Sequence, residues 1–86
     1  MELIEVEYLE ESSKAIFFNV TYNIKPSYFR AEKQVIRRAI LEKWDMPGFS
    51  YANNFIWADN KESYQYDNAI LQEMILEYEK NKNDIQ

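Results

Sequence analysis

The stretch PSYFRAEKQVIRRAILEKWDMPG, residues 26–48, decides the fold that the sequence predicts. Pro26 suits the first turn of a helix, Ser27 is a reasonable N-cap, and Pro47-Gly48 is a strong stop signal. At about 100° per residue, a set of apolar side chains falls within roughly half of the helix circumference. These are Phe29, Val35, Ile36, Ala39, Ile40 and Trp44. The pattern predicts an amphipathic helix whose apolar arc packs against a sheet.

The sheet is predicted to begin with two strands ahead of this helix. Residues 3–9 and 15–24 alternate apolar with polar side chains, the period of two that half-buries a strand. The polar residues 10–14 between them favour an antiparallel hairpin. The even-numbered side chains of the second strand are expected to meet the helix arc. Phe17 and the glutamates of the first strand would then lie on the open side of the sheet.

The segment after residue 48 predicts two more strands. Residues 49–58 are rich in aromatic side chains, and Asn53-Asn54 is expected to mark a bulge or a later strand start. Residues 62–66 predict a short fourth strand, while the alternative starts the last helix at Ser63. The expected cross-strand pairs place Tyr64 and Tyr66 opposite Phe55 and Trp57.

The last segment predicts a second helix. Asp67 is a good N-cap for a helix from Asn68 to about Lys82, and residues 81–86 form a polar, frayed tail. The predicted fold is therefore α+β, one domain over residues 1–86 with the order ββαββα. Two helices pack on one face of a mostly antiparallel sheet of three to four strands.

The composition excludes several kinds of site. The 86-residue chain has no cysteine, no histidine and one glycine. It therefore lacks thiolate ligands, the commonest general base and a glycine-rich phosphate loop. Glutamates occupy the segment where a signal peptide would be basic and then apolar, and no apolar run approaches the ~18 residues of a membrane span. We expect a cytoplasmic, non-catalytic protein with no cofactor, no metal and no membrane partner.

The formal net charge is −5, and it is distributed unevenly along the chain. Residues 1–25 carry five Glu against two Lys, and residues 67–86 carry five acidic groups against two Lys. Residues 26–46 carry five basic groups against three acidic ones. This balance favours a basic protein partner over nucleic acid, because nucleic-acid binding needs many phosphate contacts.

Two sets of residues are candidate binding sites. The first combines acidic side chains, which would steer a basic partner, with aromatic side chains of the types enriched in binding hot spots. Its members are Glu5, Glu7, Glu73, Glu77, Tyr51, Trp57 and Tyr64. The second belongs to a nucleic-acid alternative and follows the basic side of the predicted helix, where it would contact phosphates. Its members are Arg30, Lys33, Arg37 and Arg38.

These observations lead to the hypothesis of a small acidic protein that binds and inhibits or modulates another protein. Residue usage is rich in Asn, Ile, Lys, Tyr and Glu, which suits an AT-rich genome. An accessory protein of a phage or mobile element, acting on a host protein, is the concrete version. A nucleic-acid-binding module is the alternative. An exposed sheet face or edge would also allow two chains to pair as a homodimer.

Overall fold

The computed structural model describes residues 2–25 and 31–84, with the backbone alone at 61, 62 and 84. Within these ranges six strands form one antiparallel sheet, and one helix packs against it. The elements are β1 (Glu2–Glu11), β2 (Ala15–Ile24), β3 (Lys33–Met46), β4 (Phe49–Tyr51), β5 (Phe55–Trp57), β6 (Asn60–Gln65) and α1 (Asn68–Asp84). The strand order is β1-β2-β3-β5-β6, and β4 pairs with the far end of β3.

The long strand β3 overturns the predicted fold. Residues 33–46 are extended, so the helix predicted over residues 26–48 and the ββαββα arrangement with two helices are wrong. The predicted sheet of three to four strands is also wrong, because the described residues form six. Residues 33–42 pair with β2 without a register irregularity. This ladder satisfies the backbone groups that β2 directs toward β3 along its whole length, and β-branched Val35 and Ile36 suit a pleated surface. The first part of the predicted helix, residues 26–30, lies outside the described residues.

The turn after β3 also has a different role from the predicted one. Pro47 and Gly48 form the tight connection between β3 and β4, so they end a strand and not a helix. Gly48 has a φ of 83°, a left-handed conformation that side chains other than glycine rarely adopt. The prediction that Pro47-Gly48 stops a helix is therefore wrong, because the element before the pair is a strand.

The hairpin of β1 and β2 confirms the first two predicted strands. The two strands are antiparallel, and Ser12 shapes the turn by accepting a hydrogen bond from the backbone N–H of Ala15 at 3.1 Å. The register of β1 shifts between Leu3 and Glu5 and again between Tyr8 and Glu10. The first shift leaves Leu3 on the core side with Tyr22 and Glu5 on the opposite side.

The hydrophobic core lies on one face of the sheet, beneath α1. The even-numbered side chains of β2 are buried there, as predicted, with odd-numbered side chains of β3 beside them. The largest fully buried side chains are Phe18, Phe55, Ile16, Leu41, Ile70, Met74 and Val20. Helix α1 supplies Ile70 and Met74 to this core, while Leu76 on its outer side is exposed. The predicted second helix is therefore confirmed, and one of its sides faces the core.

In the C-terminal half, the predicted strands are present but their cross-strand pairs differ from the predicted ones. Asn53 and Asn54 interrupt the predicted third strand, which is divided into β4 and β5. β6 is a strand, but Tyr64 lies opposite Ile56 and Gln65 lies opposite Phe55, so the predicted aromatic pairs are wrong.

Asp67 caps α1 as predicted. Its Oδ1 accepts hydrogen bonds from the backbone N–H groups of Ala69 at 3.1 Å and Ile70 at 3.2 Å. These bonds satisfy two of the donors that every helix leaves unpaired at its start. The helix continues to Asp84, so residues 81–84 of the predicted frayed tail are helical.

Candidate functional site: an open sheet face

The sheet has two unlike faces. One face is covered by α1, and the opposite face, the open face, is covered by none of the described elements. The open face includes the side chains of β2 and β3 that point away from the core, because successive side chains of a strand alternate between faces.

One row of side chains crosses the open face through five strands. The register aligns Glu10, Phe17, Ile40, Ile56 and Tyr64, in that order from β1 to β6. Phe17, Ile40 and Ile56 are half-buried by their neighbours, and Tyr64 is 53% exposed. Directly opposite side chains in an antiparallel sheet are about 5 Å apart, so the row is a continuous apolar band.

Two further rows add charge and one exposed aliphatic side chain. Glu7, Asn19 and Arg38 form the next row, and Glu5, Thr21 and Ile36 form the one after it. Ile36 is 63% exposed, although it is a large apolar residue in the middle of a long strand. An exposed β-branched residue on the same face as an apolar band, two rows away from it, marks this face as a candidate binding surface.

The charge of the open face is mainly negative. β1 contributes Glu5, Glu7 and Glu10, all exposed, and Glu42 lies at the other side of the band. The hydroxyl of Tyr64 donates a hydrogen bond to Glu42, and this bond raises the pKa of Tyr64. Arg38 is the one cationic side chain of these three rows, which leaves the described open face net acidic.

The structure brings three of the predicted partner-binding residues together and separates the other four. Glu5, Glu7 and Tyr64 share the open face. Glu73 and Glu77 belong to α1, which lies on the other side of the sheet. Trp57 is 6% exposed and belongs to the core. Tyr51 is half-buried, and its hydroxyl donates to Glu79 on α1, a contact that together with burial raises the pKa of Tyr51.

The basic set of the nucleic-acid alternative is divided by the strand geometry. Lys33 and Arg37 have odd numbers and share the core side of β3, whereas Arg38 lies on the open face. Arg30 lies outside the described residues. A stripe that depended on helical spacing is therefore absent from residues 33–38.

Arg37 is held by the protein itself. Its Nη2 donates to Asp59 Oδ1 at 2.6 Å, its Nε donates to Asp59 Oδ2 at 3.2 Å, and its guanidinium lies 4.2 Å from the centre of the Trp57 ring. The hydrogen bonds with Asp59 raise the pKa of Arg37 and lower the pKa of Asp59. These contacts make Arg37 a structural cation at the edge of the core.

A second candidate is the cleft where the first hairpin, the β3–β4 turn and the end of α1 meet. It has a volume of about 360 Å³, and its walls include Lys43, Tyr51 and Tyr78. Tyr78 donates to Glu11 at 2.9 Å, and Lys43 also pairs with Glu11. Burial and the bond to Glu11 raise the pKa of Tyr78 to about 12. Lys43, Tyr51 and Tyr78 of this cleft are therefore already bonded to carboxylates of the protein itself.

Sequence reasoning placed Phe17 on the open side but missed Ile36, Ile40 and Ile56. Ile36 and Ile40 were assigned to the buried arc of a helix, and Ile56 was one of several aromatic and apolar residues in a segment with weak alternation. The signal that would have found Ile36 and Ile40 is the presence of apolar side chains at both odd and even positions of residues 35–41. A strand with that pattern has apolar groups on both of its faces.

Neither a metal site nor a membrane-spanning helix accompanies the open face. Within residues 2–25 and 31–84, no three Asp or Glu side chains are close enough to hold a metal ion. In the same ranges, no helix is both long and apolar enough to cross a bilayer. Comparison with protein-family models, with curated proteins and with solved structures finds no match to this chain.

Proposed function

We propose that this protein is a small, non-catalytic binding protein whose open face docks on a basic surface of another protein. The observation that carries the proposal is the apolar band of Phe17, Ile40, Ile56 and Tyr64, bordered by carboxylates, on the face opposite α1. The band contributes nothing to the core beneath the helix. A partner that covered it would remove apolar surface from water, the main favourable term in most protein association.

The apolar part of the face supports affinity. Tyr is among the residue types enriched at interfaces, where a central apolar patch with a polar border is the usual arrangement. Tyr64 is well suited to such a site, since the residue is 53% exposed while its hydroxyl is already bonded to Glu42. A ring held in this way loses little conformational freedom when a partner packs against it.

The charge supports the choice of a basic partner. Glu5, Glu7 and Glu10 form a line of exposed carboxylates along β1, at one end of the apolar band. Such a line attracts basic surfaces during diffusional encounter and disfavours acidic ones. A nucleic acid is a poor fit to this face, because its phosphates would meet more carboxylates than guanidinium groups.

Inhibition or modulation by steric cover follows from this mode of binding. A rigid sheet face that occupies a basic surface prevents a substrate or second partner from reaching it. The AT-rich residue usage supports, as a source, a phage or mobile element whose target is a host protein.

The experiment compares two charge-reversed baits in a pull-down from a lysate of the source organism. Glu5→Lys/Glu7→Lys changes the open face, and Glu73→Lys/Glu77→Lys changes α1 by the same net charge. We expect the first variant to lose a stoichiometric partner by at least about tenfold, or ~1.4 kcal/mol. The second variant should retain it, because its substitutions lie on the other side of the sheet.

A third bait tests the apolar band without changing charge. Tyr64→Ala removes the exposed ring and should weaken capture by a similar factor, since truncated aromatic hot spots commonly cost more than 1 kcal/mol. If the partner binds all open-face variants normally, or is lost only with the α1 variant, the open face is not the binding surface. If no partner reaches stoichiometric amounts with the wild-type bait, the proposed function is wrong.

A further inference from the structure

The strand β3 has an unpaired backbone edge within the described residues. One side of β3 pairs with β2 along residues 33–42. The other side pairs with β5 only at Ala39 and Ile40 and with β4 only at Lys43 and Met46. No described strand lies beside residues 33–37 on that side, so the sheet has a free edge next to the end of β5.

The direction of each backbone group along this edge follows from two hydrogen bonds. Arg38 O accepts from Ala58 N at 2.9 Å, and Glu42 O accepts from Ala52 N at 2.9 Å. Even-numbered residues of β3 thus direct their backbone groups away from β2, because the direction alternates along an antiparallel strand. The N–H and C=O groups of Gln34 and Ile36 therefore point into the free edge.

This edge lacks the features that normally prevent strand addition. The edge strand β1 carries five glutamates and two register irregularities, which are common protections against pairing with another chain. Residues 33–37 have no irregularity, no proline and two β-branched side chains, Val35 and Ile36. The free edge of β3 is therefore a better template for an added strand than the edge of β1.

The charges around the free edge specify the kind of strand that it accepts. Within residues 31–38, Lys33 and Arg38 are exposed cationic side chains, whereas Glu32 is the one exposed carboxylate. Arg37 is the last residue of this edge, and it forms an ion pair with Asp59, which follows the end of β5. The chain itself thus places an acidic group next to a basic side chain of β3.

We propose that the free edge of β3, residues 33–37, accepts an acidic, extended segment of a partner protein as an additional antiparallel strand. The added strand exchanges backbone hydrogen bonds with Gln34 and Ile36. It places an apolar side chain opposite Ile36 on the open face and a carboxylate three residues later, opposite Lys33. This inference is independent of the open-face proposal, since it uses a backbone edge and requires an acidic partner segment.

The test uses a short synthetic probe, acetyl-Thr-Ile-Val-Thr-Glu-amide, titrated into the isotopically labelled full chain. We expect the backbone amide signals of Gln34 and Ile36 to shift with probe concentration and to exchange more slowly with deuterium. The amides of Val35 and Arg37 face β2 and should be protected before and after addition. A probe ending in Lys instead of Glu should bind at least about tenfold more weakly, since its charge opposes Lys33.

Two modified probes and one protein variant distinguish backbone pairing from nonspecific binding of the probe. Methylation of the Ile nitrogen of the probe, which removes a donor to the edge, should abolish the shifts. Methylation of its Val nitrogen, which points away from β3, should have a much smaller effect. Gln34→Pro should fold, because its N–H is not used by β2, and should lose probe binding.

Three results would overturn the inference. The first is protection of the Gln34 and Ile36 amides in the free protein, which would show that another part of the chain already covers the edge. The second is the absence of any shift at millimolar probe. The third is equal shifts along β1 or β6. The probe measurements on the wild-type chain decide the question even if Gln34→Pro does not fold.

Discussion

Glu11 joins three parts of the chain at one carboxylate. Lys43 of β3 pairs with it, Tyr78 of α1 donates to it at 2.9 Å, and Tyr8 of β1 donates to it at 3.4 Å. Hydrogen bonding from Lys43 is the main reason why the pKa of Glu11 is lowered in the folded protein. A carboxylate at the end of β1 thereby links the first hairpin to the helix.

The first prediction at the residue scale concerns pH. Because the pKa of Glu11 is lower folded than unfolded, its contribution to stability is present above the unfolded value of about 4.3 and is lost as pH falls through the folded value. Glu11→Gln should lower the free energy of unfolding by about 1 kcal/mol near neutral pH, since water screens this partly exposed pair. Urea denaturation should show that this difference shrinks below about pH 4.

Glu10→Gln is the matched control, because Glu10 is the neighbouring carboxylate but lies opposite Phe17, on the other face of the sheet from Glu11. It should have the wild-type stability within about 0.5 kcal/mol at neutral pH. A difference between Glu11→Gln and wild type that grows as the pH falls would contradict the assigned role of Glu11.

Local chemistry was the most predictable part at the residue scale. Asp67 was identified as a helix cap because an Asp ahead of an apolar helical stripe has a direct hydrogen-bonding role. The network of Glu11, Lys43 and Tyr78 was not predictable, since its members are separated by 32 to 67 residues. Their meeting depends on β3 being a strand, which places Lys43 beside the first turn.

At the element scale, β3 shows why the predicted helix failed. Its sequence is rich in good helix formers, and its apolar residues satisfy both a helical arc and a two-faced strand. Tertiary pairing decides between the two, because β2 offers ten residues of edge and the core needs Ala39 and Leu41 on one side. Strand preference is set by such neighbours more than by the residues themselves.

A pair of truncations tests the two-faced strand directly. Leu41 is 0% exposed, so Leu41→Ala should lower the free energy of unfolding by about 2–5 kcal/mol. Ile36 is 63% exposed, so Ile36→Ala should lower the free energy of unfolding by about 0.5 kcal/mol or less. A helix over residues 26–48 would give the opposite order, since Ile36 belonged to its apolar arc and Leu41 did not. Chemical denaturation of both variants measures the order.

At the scale of the whole molecule, the sheet separates two kinds of surface. Its core side is closed by α1, and its open side combines an apolar band with Glu5, Glu7, Glu10 and Glu42 against Arg38 alone. The sequence predicted an acidic protein with aromatic binding residues. It assigned Glu73 and Glu77 to the same binding site as Glu5 and Glu7, whereas the two pairs lie on opposite sides of the sheet. The distribution of charge between faces depends on strand register, which composition and charge runs do not contain.

This separation predicts how the protein behaves toward a second copy of itself. Two open faces packed together would bring two net acidic surfaces into contact, so repulsion opposes a homodimer of this kind at low ionic strength. Sedimentation should therefore find a monomer at about 0.01 M salt, where the Debye length is ~30 Å. At about 1 M salt, where it is ~3 Å, repulsion is screened and the apolar bands favour weak association.

The variant Tyr64→Ala should abolish that salt-induced association, while Glu73→Lys/Glu77→Lys should leave it unchanged because α1 lies on the other side of the sheet. A dimer that is already present at low salt and dissociates as salt is added would contradict this expectation. Such a dimer would depend on opposite charges, and the free edge of β3 with its exposed Lys33 and Arg38 would then be the surface to compare with the glutamates of β1. Salt dependence therefore distinguishes association through the apolar band from association through a charged edge.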